Sequence, residues 1–238
     1  MGGREVYKEI IAQRDRSYRA NHPIGFPNIS GGPAGSYLKF PRGIPHLAGR
    51  AIMAGWAIWI TGLPSSGKST IARALAEMLA ANGIRCQILE SDELRRVITP
   101  NPTYSQEERD LFYGIMAYIG KLLVENGVNV IFDATANKRA YRDRARREIG
   151  RFMEVYVKCP LGVCMKRDAK GIYRMGIEGS AANVPGLQAD YEEPEDPDVI
   201  VESDKMDPEA CARAILDAMV GRFGLAAEGR VNRDAVEP

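Results

Sequence analysis

The chain has 238 residues, of which 45% are hydrophobic and 26% are charged. These proportions are those of an ordinary globular protein, and they exclude wholesale disorder, a collagen-like repeat and a coiled coil. Lysine and arginine number 32 against 31 aspartates and glutamates, so no overall field attracts nucleic acid or an acidic membrane. The length predicts one domain with appendages.

No segment of the sequence carries the pattern of an export signal or a membrane span. The first ten residues contain no apolar signal core, and the longest apolar stretch, residues 51–60, is too short to cross a bilayer. The four cysteines stand at spacings that match no metal-binding pair, so reduced thiols are expected. We therefore expect a cytoplasmic protein without a membrane partner.

The chain divides into three predicted parts. Residues 1–50 form an N-terminal extension whose second half is rich in proline and glycine, residues 51–220 form the main domain, and residues 221–238 form a C-terminal tail. Within the domain, five strand-like runs alternate with helical patterns, at residues 57–61, 86–89, 128–132, 152–157 and 199–201. This alternation predicts an α/β fold with a mostly parallel five-stranded sheet and helices on both faces.

Two of the predicted helices have recognisable ends. Ser105, followed three residues later by Glu108, has the pattern of a capping box, and Gly127 predicts that this helix stops near residue 126. Asp207 before Pro208 begins the last helix, which is expected to end near residue 219.

A phosphate-binding loop follows the first strand. The nine residues Gly62-Leu63-Pro64-Ser65-Ser66-Gly67-Lys68-Ser69-Thr70 fit GxxxxGK[ST] between an apolar strand and an alanine-rich helix. Glycines allow successive N–H groups to face one anion, and the helix N-terminus adds partial positive charge. The motif predicts that these residues bind ATP, that Lys68 bridges the β- and γ-phosphates, and that Ser69 binds Mg²⁺.

The loop leaves open whether the γ-phosphoryl group passes to water or to a substrate. No guanine-specific NKxD motif is present, and the chain is too short for a motor with accessory domains, so transfer to a small acceptor is favoured. Such transfer needs a carboxylate near the acceptor hydroxyl, cations beside the transferred phosphoryl group and exclusion of water.

Acidic residues follow the second and third strands, at the edge where ligands of parallel sheets bind. Glu90 and Asp92 are both candidates for the catalytic base, and Asp92 is also a candidate to bind Mg²⁺ or its water. An alternative is that they only interact favourably with the partial positive charge at the N-terminus of the helix that follows. Asp133 ends the third strand, as a magnesium-proximal acid of phosphate-loop proteins does, and is a candidate to face the substrate.

Basic residues are concentrated after the same strands. Arg95, Arg109 and Arg139 are predicted to clamp a phosphate or sulfate group around one pocket, and Tyr104 is predicted to stack on a base. Residues 138–151 carry seven basic residues against two acids. This density fits a nucleic-acid surface or a solvated helix face with one or two inward arginines, and the second interpretation is favoured.

A long segment rich in glycine and alanine, residues 168–192, follows the short helix after the fourth strand. A loop of this length in a compact kinase predicts a lid. We expect Lys170 to close over the transferred charge and Arg167 to stack on adenine.

Over residues 56–219 these motifs together resemble the adenylylsulfate kinase family. The family's GLSGSGKST loop reads GLPSSGKST, its DGDNxR acidic loop reads ESDELR from Glu90 to Arg95, and its RDRAR run stands at residues 142–146. The family's PLEVCxxRDxKGLY matches residues 160–173, and its PYExPxxP is echoed at residues 190–197. The resemblance implies a P-loop kinase that uses MgATP to phosphorylate the 3′-hydroxyl of adenosine 5′-phosphosulfate in sulfate assimilation, and a possible homodimer.

The same resemblance implies substrate or catalytic roles for particular residues: Asp92, Arg95, Arg109, Arg139 and Lys170, with Tyr104 in place of a stacking phenylalanine. The family's FISP segment reads Ala134-Thr135-Ala136-Asn137 here, so Ala136 cannot be phosphorylated. The stretch from Asp133 to Arg139 instead resembles the DxTNxxxR strand end of polynucleotide and tRNA kinases of the same superfamily. The acceptor therefore stays open between adenosine phosphosulfate, another nucleotide such as a cytidine diphosphate derivative, and a 5′-hydroxyl polynucleotide.

A third hypothesis is a nucleotide-gated interaction protein with a vestigial kinase site, in which residues 1–50 bind the partner. The intact Lys68, Ser69, Asp92 and Lys170 argue against it.

Overall fold

The computed structural model describes residues 54–225, so the predicted extension over residues 1–50 lies outside the described residues. Within this part of the chain, five strands form one sheet: β1 Ala57–Thr61, β2 Cys86–Glu90, β3 Asn129–Asp133, β4 Phe152–Lys158 and β5 Val199–Glu202. Their order is β2-β3-β1-β4-β5, and each neighbouring pair is parallel. The predicted five-stranded α/β fold is confirmed, with every strand within one residue of its expected bounds.

The described residues also form seven helices: α1 Lys68–Ala81, α2 Ser91–Ile98, α3 Gln106–Glu125, α4 Arg139–Glu148, α5 Leu161–Arg167, α6 Ile172–Ile177 and α7 Pro208–Phe223. Helices α1 and α7 cover one face of the sheet, and α3 and α4 cover the other. Between residues 54 and 225, none of these helices is both long and apolar enough to cross a membrane.

Strand β1 lies at the centre of the sheet, and all of its residues are buried. Ile58 and Ile60 pack into the core under α1 and α7, whereas Ala57 and Trp59 pack into the core under α3 and α4. Successive side chains of a strand point to opposite faces, so a strand covered on both faces must be apolar at every position. This requirement explains why β1 reads as a continuous apolar run.

The start of α3 has half of the predicted capping box. The Ser105 hydroxyl accepts a hydrogen bond from the Glu108 backbone N–H at 3.2 Å. The Glu108 carboxylate does not accept the second bond of a capping box, from the Ser105 backbone N–H. It accepts hydrogen bonds from Thr103 and forms an ion pair with Arg95 instead. The sequence pattern missed this difference because Arg95 reaches Glu108 from another helix.

Helix α7 is longer than the sequence predicted. Its N-cap is the expected one, because Asp207 accepts a hydrogen bond from the Ala210 N–H at 2.7 Å. The helix continues past the expected end to Phe223, whose ring stacks on Trp56 with the centroids 5.6 Å apart, and Gly224 ends it with a φ of 63°. The prediction that the tail begins at residue 221 is therefore wrong, and residues beyond 225 lie outside the described residues.

The carboxyl ends of the strands meet at one edge of the sheet. In the register of β2 and β3, Glu90 is the partner of Asp133, and Asp133 is also the partner of Ile60 in β1. The chain adds β2 and β3 on one side of β1 and then crosses to add β4 and β5 on the other. Ligands of open parallel sheets bind at such a crossing point.

Candidate active site

A cavity of about 700 Å³ opens at this edge of the sheet, a size typical of small-molecule sites. Most of the predicted site residues line it: Pro64, Ser65, Gly67, Lys68, Ser69, Thr70, Glu90, Asp92, Arg95, Tyr104, Arg109, Asp133, Arg167 and Lys170. Gly62, Leu63 and Ser66 complete the phosphate loop but do not line the cavity. The structure therefore brings fourteen of the predicted residues around one space.

The phosphate loop has the backbone conformation that an anion cradle requires. Ser65 and Gly67 have φ values of 59° and 96°, and Gly67 directly precedes α1. A Cβ atom added at Gly67 would find its nearest neighbour, Nη1 of Arg167, 4.0 Å away. The helix N-terminus is consequently open toward the cavity, as binding of a phosphate group demands.

Lys68 is buried at the start of α1, and its Nζ donates a hydrogen bond to the Leu63 carbonyl oxygen at 2.8 Å. Burial lowers the pKa of Lys68, and the negative charges of Asp133 and Asp92 oppose this effect only in part. An ammonium group held by a neutral carbonyl keeps its positive charge available for an incoming phosphate.

Two carboxylates and one lysine form an ion-paired group in the same cavity. Lys170 forms an ion pair with Asp92, and its Nζ lies 3.7 Å from a carboxylate oxygen of Glu90. Burial lowers the pKa of Lys170, but the hydrogen bond to Asp92 and the nearby carboxylates outweigh it, so the net pKa is raised. The two base candidates and the lid lysine are thus neighbours in space.

Arg95 is enclosed by aromatic rings and one acid. Its guanidinium carbon lies 3.9 Å from the ring centroid of Phe112 and 5.0 Å from that of Tyr104, and its Nη1 donates to Glu108 at 2.9 Å. Glu108 neutralises this guanidinium, which is 6% exposed. Arg95 therefore packs against the Tyr104 ring. Because its charge is already paired with Glu108, it attracts an anion less strongly than was predicted.

Arg109 makes a different set of contacts. It is also 6% exposed, but its guanidinium donates to three neutral oxygens, those of the Tyr104 carbonyl at 3.1 Å, the Asn137 side chain at 2.9 Å and the Asn183 carbonyl at 2.7 Å. No carboxylate among residues 54–225 lies within 4.0 Å of its nitrogen atoms. A buried cation without an acidic partner favours an anion beside it.

Arg139 does not line the cavity, whereas Arg95 and Arg109 do. That Arg139 holds the acceptor anion stays a prediction. Its side chain is 42% exposed, and its Nη1 lies 2.9 Å from Glu195. Its backbone N–H donates to Glu192 at 2.8 Å. Glu192 ends segment 168–192 and Glu195 follows it, and nothing in the spacing of the sequence indicates that they fold back onto α4.

Arg167 lines the cavity beside the phosphate loop. Its Nη2 donates to the carbonyl oxygen of Ser203 at 2.7 Å, and the hydroxyl of Ser203 donates to the carbonyl oxygen of Ser66 at 2.7 Å. Ser203 directly follows β5, and the sequence analysis missed it. Like Glu90 and Asp133, Ser203 lies at the carboxyl end of a parallel strand, so this position could have been predicted from the sequence.

Segment 168–192, which was predicted to be a lid, contacts both sides of the cavity. The Tyr173 hydroxyl donates to the carbonyl oxygen of Pro64 in the phosphate loop at 3.1 Å. Farther along, Asn183, with a φ of 60°, presents its carbonyl oxygen to Arg109. Asn183 was not predicted, although asparagine is among the few residues that adopt this backbone conformation readily.

The basic helix α4 has one arginine that points inward. Arg142 is 1% exposed and donates to Glu154 at 2.6 Å and to the carbonyl oxygen of Glu192 at 2.7 Å. Arg144 and Arg146 form ion pairs with acids on the surface. This arrangement agrees with a solvated helix face that has one inward arginine.

Comparison with known proteins agrees with the geometry. Residues 54–202 match the sequence profile of the family described as Adenylylsulphate kinase. The chain belongs to this family. The predicted resemblance is thereby confirmed, and with it the class of enzyme, a P-loop phosphotransferase that acts on a hydroxyl group.

Individual adenylylsulphate kinases resemble the chain over most of their own length. A probable adenylyl-sulfate kinase of Pyrococcus abyssi is 42% identical over 164 residues, which cover 69% of this chain and 94% of that protein. A probable adenylyl-sulfate kinase of Archaeoglobus fulgidus is 42% identical over 152 residues, or 64% of this chain and 98% of that protein. The structure of the Mycobacterium tuberculosis APS kinase in complex with AMPPNP and APS superposes with a TM-score of 0.66, at 28% identity over 70% of this chain and 98% of that chain.

Proposed function

We propose that the protein transfers the γ-phosphoryl group of ATP to the 3′-hydroxyl of adenosine 5′-phosphosulfate (APS), which gives 3′-phosphoadenosine 5′-phosphosulfate and ADP. The observation that carries this proposal is the guanidinium of Arg109, which lines the same cavity as the phosphate loop and has no carboxylate partner among residues 54–225. An acceptor that carries a phosphosulfate group supplies the missing negative charge. The Mycobacterium tuberculosis relative, solved with AMPPNP and APS, supports this choice of substrates.

The residues of the phosphate loop fit ATP and Mg²⁺. Gly67 leaves the start of α1 open to a phosphate, and Lys68 carries positive charge beside it. The Ser69 hydroxyl and the Asp92 carboxylate are oxygen donors of the kind that Mg²⁺ prefers, and they would hold the ion. When bound, Mg²⁺ neutralises charge that develops on the transferred phosphoryl group.

The Asp92 carboxylate is suited to take the proton of the acceptor hydroxyl. During transfer, the 3′-oxygen forms a bond to the γ-phosphorus, the bond from that phosphorus to the β-phosphate oxygen breaks, and the hydroxyl proton passes to Asp92. Lys170 forms an ion pair with Asp92 in the empty site. When Lys170 turns to the phosphates, the carboxylate is free to accept the proton.

Segment 168–192 acts as the lid in this proposal. It carries Lys170 toward the nucleotide side and Asn183 toward the acceptor side of the same cavity. Exclusion of water strengthens the electrostatic interactions of the site and suppresses hydrolysis of ATP. Tyr104, backed by Arg95, is placed to stack on the adenine of the acceptor.

A coupled assay for ADP release tests the proposal with four acceptors: APS, adenosine, cytidine diphosphate and a 5′-hydroxyl oligonucleotide. We expect turnover with APS to exceed that with adenosine and to fall only shallowly with salt. An oligonucleotide acceptor would show a steep salt dependence, because several phosphates are contacted. Transfer to the oligonucleotide with none to APS contradicts the proposal, and ATP turnover that no acceptor stimulates favours a non-enzymatic role.

One pair of variants tests the role of Arg109 in this reaction. Arg109→Lys keeps the charge but loses the fork of donors, and we expect it to raise KM for APS at least about tenfold with little change in KM for ATP. Arg147→Lys, on the exposed side of α4, is the matched control and should change neither constant. An unchanged KM for APS in Arg109→Lys would show that the anion binds elsewhere.

A further inference from the structure

Asn137 connects the anion-binding arginine to the base of segment 168–192. Its Oδ1 accepts the hydrogen bond from Nη1 of Arg109 at 2.9 Å, and its Nδ2 donates to the carbonyl oxygen of Asp190 at 3.0 Å. Its own carbonyl oxygen accepts from the N–H of Glu192 at 2.8 Å. The residue is 5% exposed, and both ends of its side chain are engaged.

The backbone that carries Asn137 is itself held firmly. Ala136, which precedes it, has a φ of 41°, an uncommon conformation for a residue other than glycine. The Ala136 N–H donates to the Tyr113 hydroxyl at 3.1 Å, and its carbonyl oxygen accepts a hydrogen bond from buried Arg142. This support fixes the direction of the Asn137 side chain, so the position of its oxygen is set before any substrate arrives.

An amide is the side chain that suits both of these contacts. A carboxylate at this position would neutralise Arg109 and would face the carbonyl oxygen of Asp190 without a donor. A proline, which the family's FISP pattern has here, has no side-chain polar atom and would make neither bond. The amide oxygen orients Arg109 and leaves its positive charge for the acceptor.

We propose that Asn137 is a positioning residue that orients the Arg109 guanidinium toward the anionic group of the acceptor. Because Asn137 also bonds residues 190 and 192, the orientation of Arg109 depends on the position of residues 190–192, where segment 168–192 ends. The inference rests on the proposed function, because it takes the anion near Arg109 to be that of the acceptor. The same amide then transmits binding of the acceptor to the segment that closes the cavity.

Steady-state kinetics of the full-length enzyme test the inference with two substitutions and a control. Asn137→Ala removes both bonds, and we expect KM for APS to rise about tenfold or more, the scale of a lost hydrogen bond to a charged group. KM for ATP should stay within about twofold, because the phosphate loop does not contact Asn137. Asn137→Asp, almost the same size, should raise KM for APS at least as much by neutralising Arg109.

Asn129→Ala provides the matched control at the opposite edge of the sheet. Both ends of the Asn129 side chain are also engaged: its Oδ1 accepts from the Trp56 N–H at 3.3 Å, and its Nδ2 donates to the Arg85 carbonyl oxygen at 2.9 Å. If Asn137 only stabilises the fold, Asn129→Ala and Asn137→Ala will alter the two KM values alike. That result, or an unchanged KM for APS in Asn137→Asp, overturns the inference.

Hydrogen exchange separates this inference from the proposed function. In the wild-type protein, addition of APS with a non-hydrolysable ATP analogue should protect amides over residues 183–192, and in Asn137→Ala this protection should be lost while that of the phosphate loop persists. A wild-type enzyme that ignores APS contradicts the proposed function. Equal protection in Asn137→Ala and wild type contradicts the coupling alone.

Discussion

The ammonium group of Lys68 donates to the carbonyl oxygen of Leu63, 2.8 Å away within the same loop. The buried lysine is therefore held in place by its own loop, with a lowered pKa caused chiefly by burial. Burial of a charged group opposes folding, so stability does not account for this lysine, which supports its proposed role in binding and transfer.

Lys68→Met is expected to reduce phosphoryl transfer by at least about a hundredfold, because the loop lysine supplies charge that the transition state needs. The thermal unfolding temperature should not fall. A lowered folded-state pKa means that the unfolded chain binds more protons, so stability contributed at this site rises with pH until the ordinary lysine pKa is reached. Unfolding of wild type should show this rise, and Lys68→Met should not.

The half-buried Lys121 of α3 provides the control for this variant. Lys121→Met should keep both activity and the pH dependence of unfolding, because its ammonium group is paired at the surface. If Lys68→Met keeps more than about a tenth of wild-type turnover, a loss of less than about 1.4 kcal/mol, the phosphate loop is not the site of transfer.

Asp92→Asn is expected to lower kcat about a hundredfold or more, the usual scale for loss of a general base. Glu90→Gln should have a smaller effect, because Glu90 lies farther from Lys170 than Asp92 does. Single-turnover kinetics with excess enzyme would measure both. A larger defect in Glu90→Gln would assign the base to Glu90 instead.

Arg142→Met is expected to lower the free energy of unfolding by about 3–5 kcal/mol, since it leaves the buried carboxylate of Glu154 without its closest partner. The double variant Arg142→Met/Glu154→Met should recover a large part of this loss. Urea unfolding at neutral pH measures both. Equal losses in the single and double variants would mean that the unpaired Glu154 carboxylate is not the cause of the lost stability.

Two glycines on α3 should respond in opposite ways to alanine. A Cβ atom at Gly120 would overlap the buried Phe132 ring, and we expect Gly120→Ala to cost about 1–3 kcal/mol. A Cβ atom at Gly114 would meet only the movable end of Arg144, so Gly114→Ala should stabilise the helix by up to about 1 kcal/mol. Thermal unfolding of both variants checks the sign, and equal destabilisation would contradict the packing of α3 on β3.

Local patterns predicted the strands and the phosphate loop, because their signals lie within a few neighbouring residues. Glu90, Asp92 and Asp133 were found through the geometry of parallel sheets. Contacts between distant segments escaped prediction: the exposed position of Arg139 depends on acids more than fifty residues away, and the neutral partners of Arg109 come from Asn137 and Asn183. Spacing alone carries no information about such partners.

One continuous segment supplies Lys170 to the carboxylates and Asn183 to the arginine of the acceptor side. In the proposed mechanism, opening of this segment removes both residues from the site at the same moment. A nucleotide bound without an acceptor would then meet water but not the complete set of catalytic groups, so its hydrolysis is expected to be slow.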